Sequence, residues 1–223
     1  MKNNRLMIID GSSLLHRGFY ALPLLSTKDG IYTNGVYGFL TMFYKITEEY
    51  EPDYISVAFD KKAPTFRHLE YDLYKANRQK SPNELSLQFP ILKEVLSAMN
   101  INQIEIEGYE ADDIAGTIAK FGEEKGLEVI LVTGDRDYLQ LASEKSKVLV
   151  TKKGITELEV FDNKIIMDKY GIKPEQFIDL KGLMGDQSDN IPGVPGIGEK
   201  TGLKLIKEFG SMENIYENIE KVS

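Results

Sequence analysis

Short apolar runs punctuate the first two-thirds of the chain: LMII at 6–9, YISVAF at 54–59, IEI at 104–106 and LEVILVT at 127–133. Their length and β-branched content predict strands. Between them the apolar residues fall at helical spacing. In the segment from Gly35 to Tyr50, Val36, Phe39, Leu40, Phe43 and Ile46 form one face. Leu85, Phe89, Leu92, Leu96 and Met99 form another after Pro82, a residue suited to opening a helix. Strand–helix–strand alternation predicts an α/β fold, with a mainly parallel central sheet flanked by helices and right-handed crossovers. From about Lys173 the texture changes to a short helix (PEQFIDLKGLM), a loop dense in Gly and Pro (GDQSDNIPGVPGIG) and a second helix over Glu199–Phe209. The expected division is therefore 1–172 and 173–223, with no internal repeat or low-complexity tract.

Composition narrows the chemistry. The 223 residues include no cysteine, which excludes disulfides, thiolate zinc sites and cysteine nucleophiles and suits a cytoplasmic protein. His16 and His68 are the two histidines, so histidine-rich metal sites are excluded as well. MKNNR followed by LMIID has too short an apolar core for a secretory signal, and no apolar run reaches membrane-spanning length. The formal net charge of −8 argues against a polyanionic partner until its distribution is considered. Residues 61–80 carry six Lys or Arg against two acids, a surplus that either a solvated face or a phosphate could use.

The acids are placed with more regularity than the cations. Asp10, Asp60 and Asp135 each follow a predicted strand, with Asp137 two residues beyond the last. One such Asp is ordinarily a helix cap or turn former. Recurrence at three strands points instead to the crevice beyond the carboxyl ends of a parallel sheet. Glu110, Asp112 and Asp113 precede the apolar spacing of Ile114, Ile118 and Phe121, in the first turn of a predicted helix whose dipole also favours acids. Asp186 and Asp189 lie in the Gly/Pro-rich loop. Like charges ~4 Å apart cost roughly 4 kcal/mol per pair at an effective dielectric near 20. Convergence of these nine acids therefore calls for cations, and oxygen donors without His or Cys select Mg2+ or Mn2+. Two such ions are the usual apparatus of in-line phosphodiester displacement.

IIDGSSLLHRGFYAL, VAFDKKAPTFRH, YKANR, YEADD, TGDRDYLQL and GDQSDNIPGVPGIGEKT, in this order, resemble the 5′ nuclease family. The likeness is nearest to the N-terminal 5′-3′ exonuclease domain of bacterial DNA polymerase I, related to phage 5′ exonucleases and flap endonucleases. The resemblance implies a PIN-like fold with a helical arch around 72–99 and a C-terminal helix-hairpin-helix element. It implies 5′-3′ exonuclease and 5′-flap endonuclease activity on DNA carrying a 5′ single strand next to duplex, in replication and repair, by a monomer. It assigns Asp10, Asp60, Glu110 and Asp112 to a first metal ion and Asp135, Asp137, Asp186 and Asp189 to a second, with Asp113 supporting them. Lys75 and Arg78 would act on the scissile phosphate at the base of the arch. His16, Arg17, Tyr74, Gly193, Gly196, Gly198 and Lys200 would contact DNA, with K+ able to bridge the hairpin to the duplex. Two departures stand out: His16 occupies a position where many relatives carry Tyr or Phe, and the chain ends at Ser223 where relatives continue, which suggests an excised domain. The alternatives are a PIN-like ribonuclease, which normally lacks the hairpin and the YKANR segment, and a non-catalytic DNA-binding module, which the complete set of acids disfavours. A phosphatase using Asp10 as nucleophile is disfavoured because Gly11-Ser12 follows instead of the usual Asp-x-Asp.

Overall fold

The computed structural model describes residues 4–152 and 154–222. Five parallel strands and one antiparallel edge strand form the central sheet in the order β3-β2-β1-β4-β5-β6. The strands are β1 Arg5–Asp10, β2 Tyr54–Ala58, β3 Asn102–Ile104, β4 Glu128–Thr133, β5 Ser146–Thr151 and β6 Leu158–Phe161. Of these, β5 and β6 are absent from the sequence expectation, although Val148-Leu149-Val150 is itself a short apolar run. The strand expected at 104–106 sits two residues earlier, and Ile106 is left exposed beyond the sheet edge.

The register places β1 between β2 and β4, so the chain winds outward in one direction through β3 and then returns to build the other half. This reversal leaves a crevice at the carboxyl ends of β1 and β4, where ligands bind in open α/β sheets. Alternate β1 residues serve opposite layers. Met7 and Ile9 pack with α1 (Gly11–Ala21), α2 (Asn34–Tyr50) and α5 (Gln88–Ala98), whereas Leu6 and Ile8 pack on the side of α6 (Ala111–Glu124). Burial on both faces explains why the central strands read as continuous apolar runs.

Residues 72–99, where the family resemblance places the helical arch, run from turns into two helices, and the helix expected after Pro82 on the Leu85–Met99 stripe is present. After α3 (Phe66–Glu70), residues 72–77 are turns and 78–82 are irregular; α4 (Asn83–Ser86) and α5 then pack into the core. Leu85, Leu92 and Leu96 are fully buried there, which is the ordinary fate of an apolar stripe at helical spacing. Gln88, also fully buried, accepts from the backbone N–H of Gly35 at 2.7 Å and Val36 at 3.1 Å, satisfying the open N-terminus of α2.

Beyond α7 (Asn163–Tyr170) come α8 (Phe177–Met184), the two-residue strands β7 (Gly185–Asp186) and β8 (Ile191–Pro192), α9 (Glu199–Phe209) and α10 (Met212–Glu217). The expected helix boundaries at 199 and 209 coincide with those of α9. Leu180, Leu183, Leu205 and Ile206 continue the core on the α6 side of the sheet, so the appendage is fused to the main body.

Candidate metal centre and nucleic-acid interface

Asp10 ends β1 and caps α1, accepting from the Ser13 N–H at 2.9 Å and the Thr133 hydroxyl at 3.0 Å. Burial, reinforced by Asp60 and Asp135, pushes its carboxyl up to about 7 despite those bonds. Asp60 lies just past β2, where it accepts from the Ala111 N–H at 2.9 Å and donates its own N–H to the Ser12 hydroxyl at 3.1 Å. Asp135 follows β4, its N–H bonded to the Thr133 hydroxyl and its carboxylate to the Asp137 N–H. Glu110 caps α6, and Asp112 in the first turn is pushed up to about 6 by burial and by its acidic neighbours Asp113 and Glu110. A cavity of about 260 Å3 gathers Asp10, Asp60, Glu110, Asp112 and Asp135 with Ser12, Ser13, His16, Lys75, Arg78 and Tyr138.

The remaining acids are held around this cavity by the protein's own cations. Asp113 takes a bidentate contact from Arg67, 2.8 Å to each oxygen, and also accepts from the Glu110 N–H, so it braces the turn. Asp137 borders an adjoining cavity of about 330 Å3. The Lys181 ammonium bridges Asp137 at 2.7 Å and Asp186 at 2.6 Å, and with Ser188 it holds the Asp186 carboxyl down at about 2 against its partial burial. Asp189 is paired with Arg78 at 2.5 Å, while Lys75 lies 2.7 Å from Glu110. Lys75 adopts a left-handed backbone (φ 55) and donates its N–H to the Asp189 carbonyl, a locally costly conformation of the kind stored at functional sites. Among the described residues, no group of three or more Asp, Glu, His or Cys is arranged to hold a metal ion as it stands. The expected nine-acid convergence is thus an inner group of five flanked by four acids paired with cations. Mutual repulsion supplies the physical reason, since ammonium and guanidinium groups draw the outer acids aside.

Sequence reading missed Arg67, Lys181, Thr133 and Tyr138, which lack any spacing signal of their own; Lys181 could have been suspected only from its place five residues before Asp186.

The expected DNA contacts fare unequally. Tyr74 has its ring buried, and its hydroxyl lies 2.9 Å from a Glu110 oxygen and 3.1 Å from an Asp189 oxygen, so its single proton is shared between two crowded carboxylates. Arg17 is bound to the hydroxyl and carbonyl of Thr151 at 3.1 and 2.9 Å. His16 borders the acidic cavity, near Tyr20 and Phe89, and burial together with Arg78 lowers its pKa against the pull of Asp60. Gly193 is required for packing, since a Cβ there would meet the Met184 carbonyl carbon at 2.2 Å. Added Cβ atoms at Gly196 (φ 83) and Gly198 would meet only open space. Exposed Lys200 shares a groove with Lys204 and Lys207 on α9.

The chain is similar to known proteins along nearly its whole length. Residues 5–171 match the family model described as 5′-3′ exonuclease, N-terminal resolvase-like domain, and residues 172–223 match 5′-3′ exonuclease, C-terminal SAM fold. DNA polymerase I of Bacillus caldotenax is 54% identical over 218 residues, covering 98% of this chain and 25% of that protein. DNA polymerase I of Bacillus subtilis is 51% identical over 222 residues, covering 100% and 25% respectively. The chain thus spans about a quarter of the length of the curated relatives it matches. Among solved structures, T5 5′-exonuclease with bound divalent zinc aligns at 28% identity and TM-score 0.77, covering 96% of this chain and 79% of that one. A pseudo-enzyme–product complex of the bacteriophage T5 flap endonuclease with DNA and metal ions aligns with the same four values.

Proposed function

The chain belongs to the 5′-3′ exonuclease family, and on that footing we propose that it hydrolyses DNA phosphodiesters at a 5′ single strand adjoining duplex, as exonuclease and flap endonuclease, using two divalent cations. The observation that carries this reading is the inner group at the switch point: five acids from β1, β2, α6 and β4 around one cavity, two of them pushed far above the ordinary carboxylate range. Crowded hard oxygen donors of this kind suit Mg2+ or Mn2+.

Asp10, Asp60, Glu110 and Asp112 would hold one ion, and Asp135, Asp137, Asp186 and Asp189 the other, with Asp113 bracing the turn. Bound there, the ions would lower the pKa of an attacking water and stabilise charge on the phosphate. Ser12, Ser13 and Thr133 fix the loops that present the acids. Lys75 and Arg78, swung from Glu110 and Asp189 to substrate, would stabilise charge growing on the scissile phosphate. His16 would stack on a base at the cavity mouth. Gly196, Gly198 and Lys200 would meet duplex phosphates, with a potassium ion able to bridge the hairpin to DNA; Arg17 would reach phosphate only by leaving Thr151. A monomer suffices, because every proposed group lies in one chain. Expectations of replication and repair, and of a cytoplasmic setting, rest on the polymerase relatives; among the described residues no helix is long and apolar enough to cross a membrane.

Product mapping on a 5′-flap DNA with Mg2+, beside a single-stranded RNA of equal length, tests the reading. Cutting at the flap junction, or one nucleotide inside it, is expected. Preference for the RNA would favour a ribonuclease instead.

A further inference from the structure

Tyr138 stands in the wall between the two acidic cavities, one bordered by Asp10, Asp60, Asp112 and Asp135 and the other by Asp112, Asp113 and Asp137. Its ring is 2% exposed and is packed in the core that carries Ala115, Leu139 and Val148. The ring therefore has an evident purpose; the hydroxyl does not. Among the described residues it is the one buried side-chain polar atom without a hydrogen-bond partner. A phenylalanine would fill the same space without burying a donor, so the hydroxyl needs a partner that comes from the site.

We propose that Tyr138 is a positioning residue of the metal centre, whose hydroxyl donates to the carboxylates as they gather around a bound divalent ion and so fixes the geometry in which they bind it. The inference rests on the metal reading of the site. It adds a neutral donor to a set whose other supports are the Ser13 N–H, the Thr133 hydroxyl and the Ala111 N–H. A neutral donor suits this role because it relieves crowded carboxylates without competing with the cation, as Lys75 and Lys181 do. A phenol ordinarily keeps its proton below about pH 10, so the group is a donor at neutral pH. Tyr74 shows the same chemistry across the cavity, its phenol shared between Glu110 and Asp189.

The test is Mn2+ binding, followed by electron paramagnetic resonance of the free ion, on the whole chain and its Tyr138→Phe variant, with melting temperature measured in EDTA. One hydrogen bond to a charged acceptor corresponds to roughly 10- to 150-fold in affinity. Tyr138→Phe should weaken Mn2+ binding within that range while leaving the melting temperature in EDTA unchanged or raised, because the buried hydroxyl contributes nothing there without the ion. Tyr138→Leu, which removes hydroxyl and ring together, should weaken binding at least as much. Wild-type affinity in Tyr138→Phe, with loss confined to Tyr138→Leu, would show that packing alone matters and overturn the proposal. Absence of Mn2+ binding by the wild type would overturn both this proposal and the metal reading, an outcome distinguishable from the first.

Discussion

A carboxyl that is wholly buried, doubly hydrogen-bonded and still pushed up to about 7, as at Asp10, marks where positive charge is wanted. The same logic separates residues that hold ions from residues that aim at substrate. Asp135→Asn or Asp137→Asn keeps side-chain volume while removing charge, so single-turnover cleavage of flap DNA should fall by ~100-fold or more, the scale of losing one electrostatic group in a transition state. Duplex affinity, read by fluorescence anisotropy, should barely change; near-native cleavage by both variants would remove these acids from the centre. Lys75→Ala should lower the single-turnover rate at saturating DNA by roughly 100-fold, because a cation facing the scissile phosphate acts on charge that grows during reaction. A variant that only binds more weakly would reassign Lys75 to holding the strand. His16→Tyr should sharpen the distribution of cleavage positions if stacking is what the site supplies. Sequencing the 5′ products of the wild type and of the His16→Tyr and His16→Ala variants decides this, with identical patterns making the residue a bystander.

At the scale of elements, the hairpin between α8 and α9 shows how differently glycines of one motif behave. Gly193 is locked against Met184 and Gly185, so substituting it tests folding. Gly196 has a left-handed backbone that a β-branched residue resists, whereas Gly198 has an ordinary φ of −102 and open space where a Cβ would go. Gly198→Val is therefore the clean probe of backbone approach to phosphate. It should weaken duplex binding and flatten the log–log salt dependence by roughly 0.9 for each phosphate the protein ceases to neutralise. Cutting of a short single strand should persist, since the inner acids lie on other elements; equal loss on both substrates, with circular dichroism intact, would mean that the hairpin is coupled to the acids through Asp186 and Asp189. Elements were legible from sequence where periodicity had a single cause. The apolar face of α2 and the boundaries of α9 could be read directly, and strand-end acids marked the crevice. The stripe of Leu85, Leu92 and Leu96 after Pro82 was legible as a packed helix face, whereas the turns of 72–77 were not legible, since they carry no periodicity to read. Nor were the Lys181 bridge to Asp137 and the Tyr74 bond to Glu110, which join residues far apart in the chain that no local pattern links.

For the whole molecule, the acids make stability and metal binding one problem. Asp10 and Asp112 have folded-state values of about 7 and about 6, above the ordinary 3.8, so the folded protein holds protons that the unfolded chain has released between about pH 4 and 7. Stability falls with rising pH wherever the native state binds more protons, so the metal-free protein should lose stability across that window. Asp10 alone, shifted by about three units, corresponds to on the order of 4 kcal/mol at full effect. His16 opposes this, because its lowered pKa costs stability as pH falls through its ordinary 6.5. Asp113 and Asp186, both lowered, act in a separate range: their contribution is present above the ordinary 3.8 and is lost as pH falls below it, for Asp186 toward about 2. In EDTA the melting temperature should therefore peak near about pH 4 and decline to about pH 7. A saturating divalent cation should reverse the slope, because an ion binds the ionised acids of the folded state and stabilises by mass action. At the acidic end protons compete with it, so Mg2+ at about 5 mM should add little near about pH 5 and several degrees near about pH 8. Equal stabilisation at both pH values would mean that the cation binds somewhere other than the acids around Asp10 and Asp112.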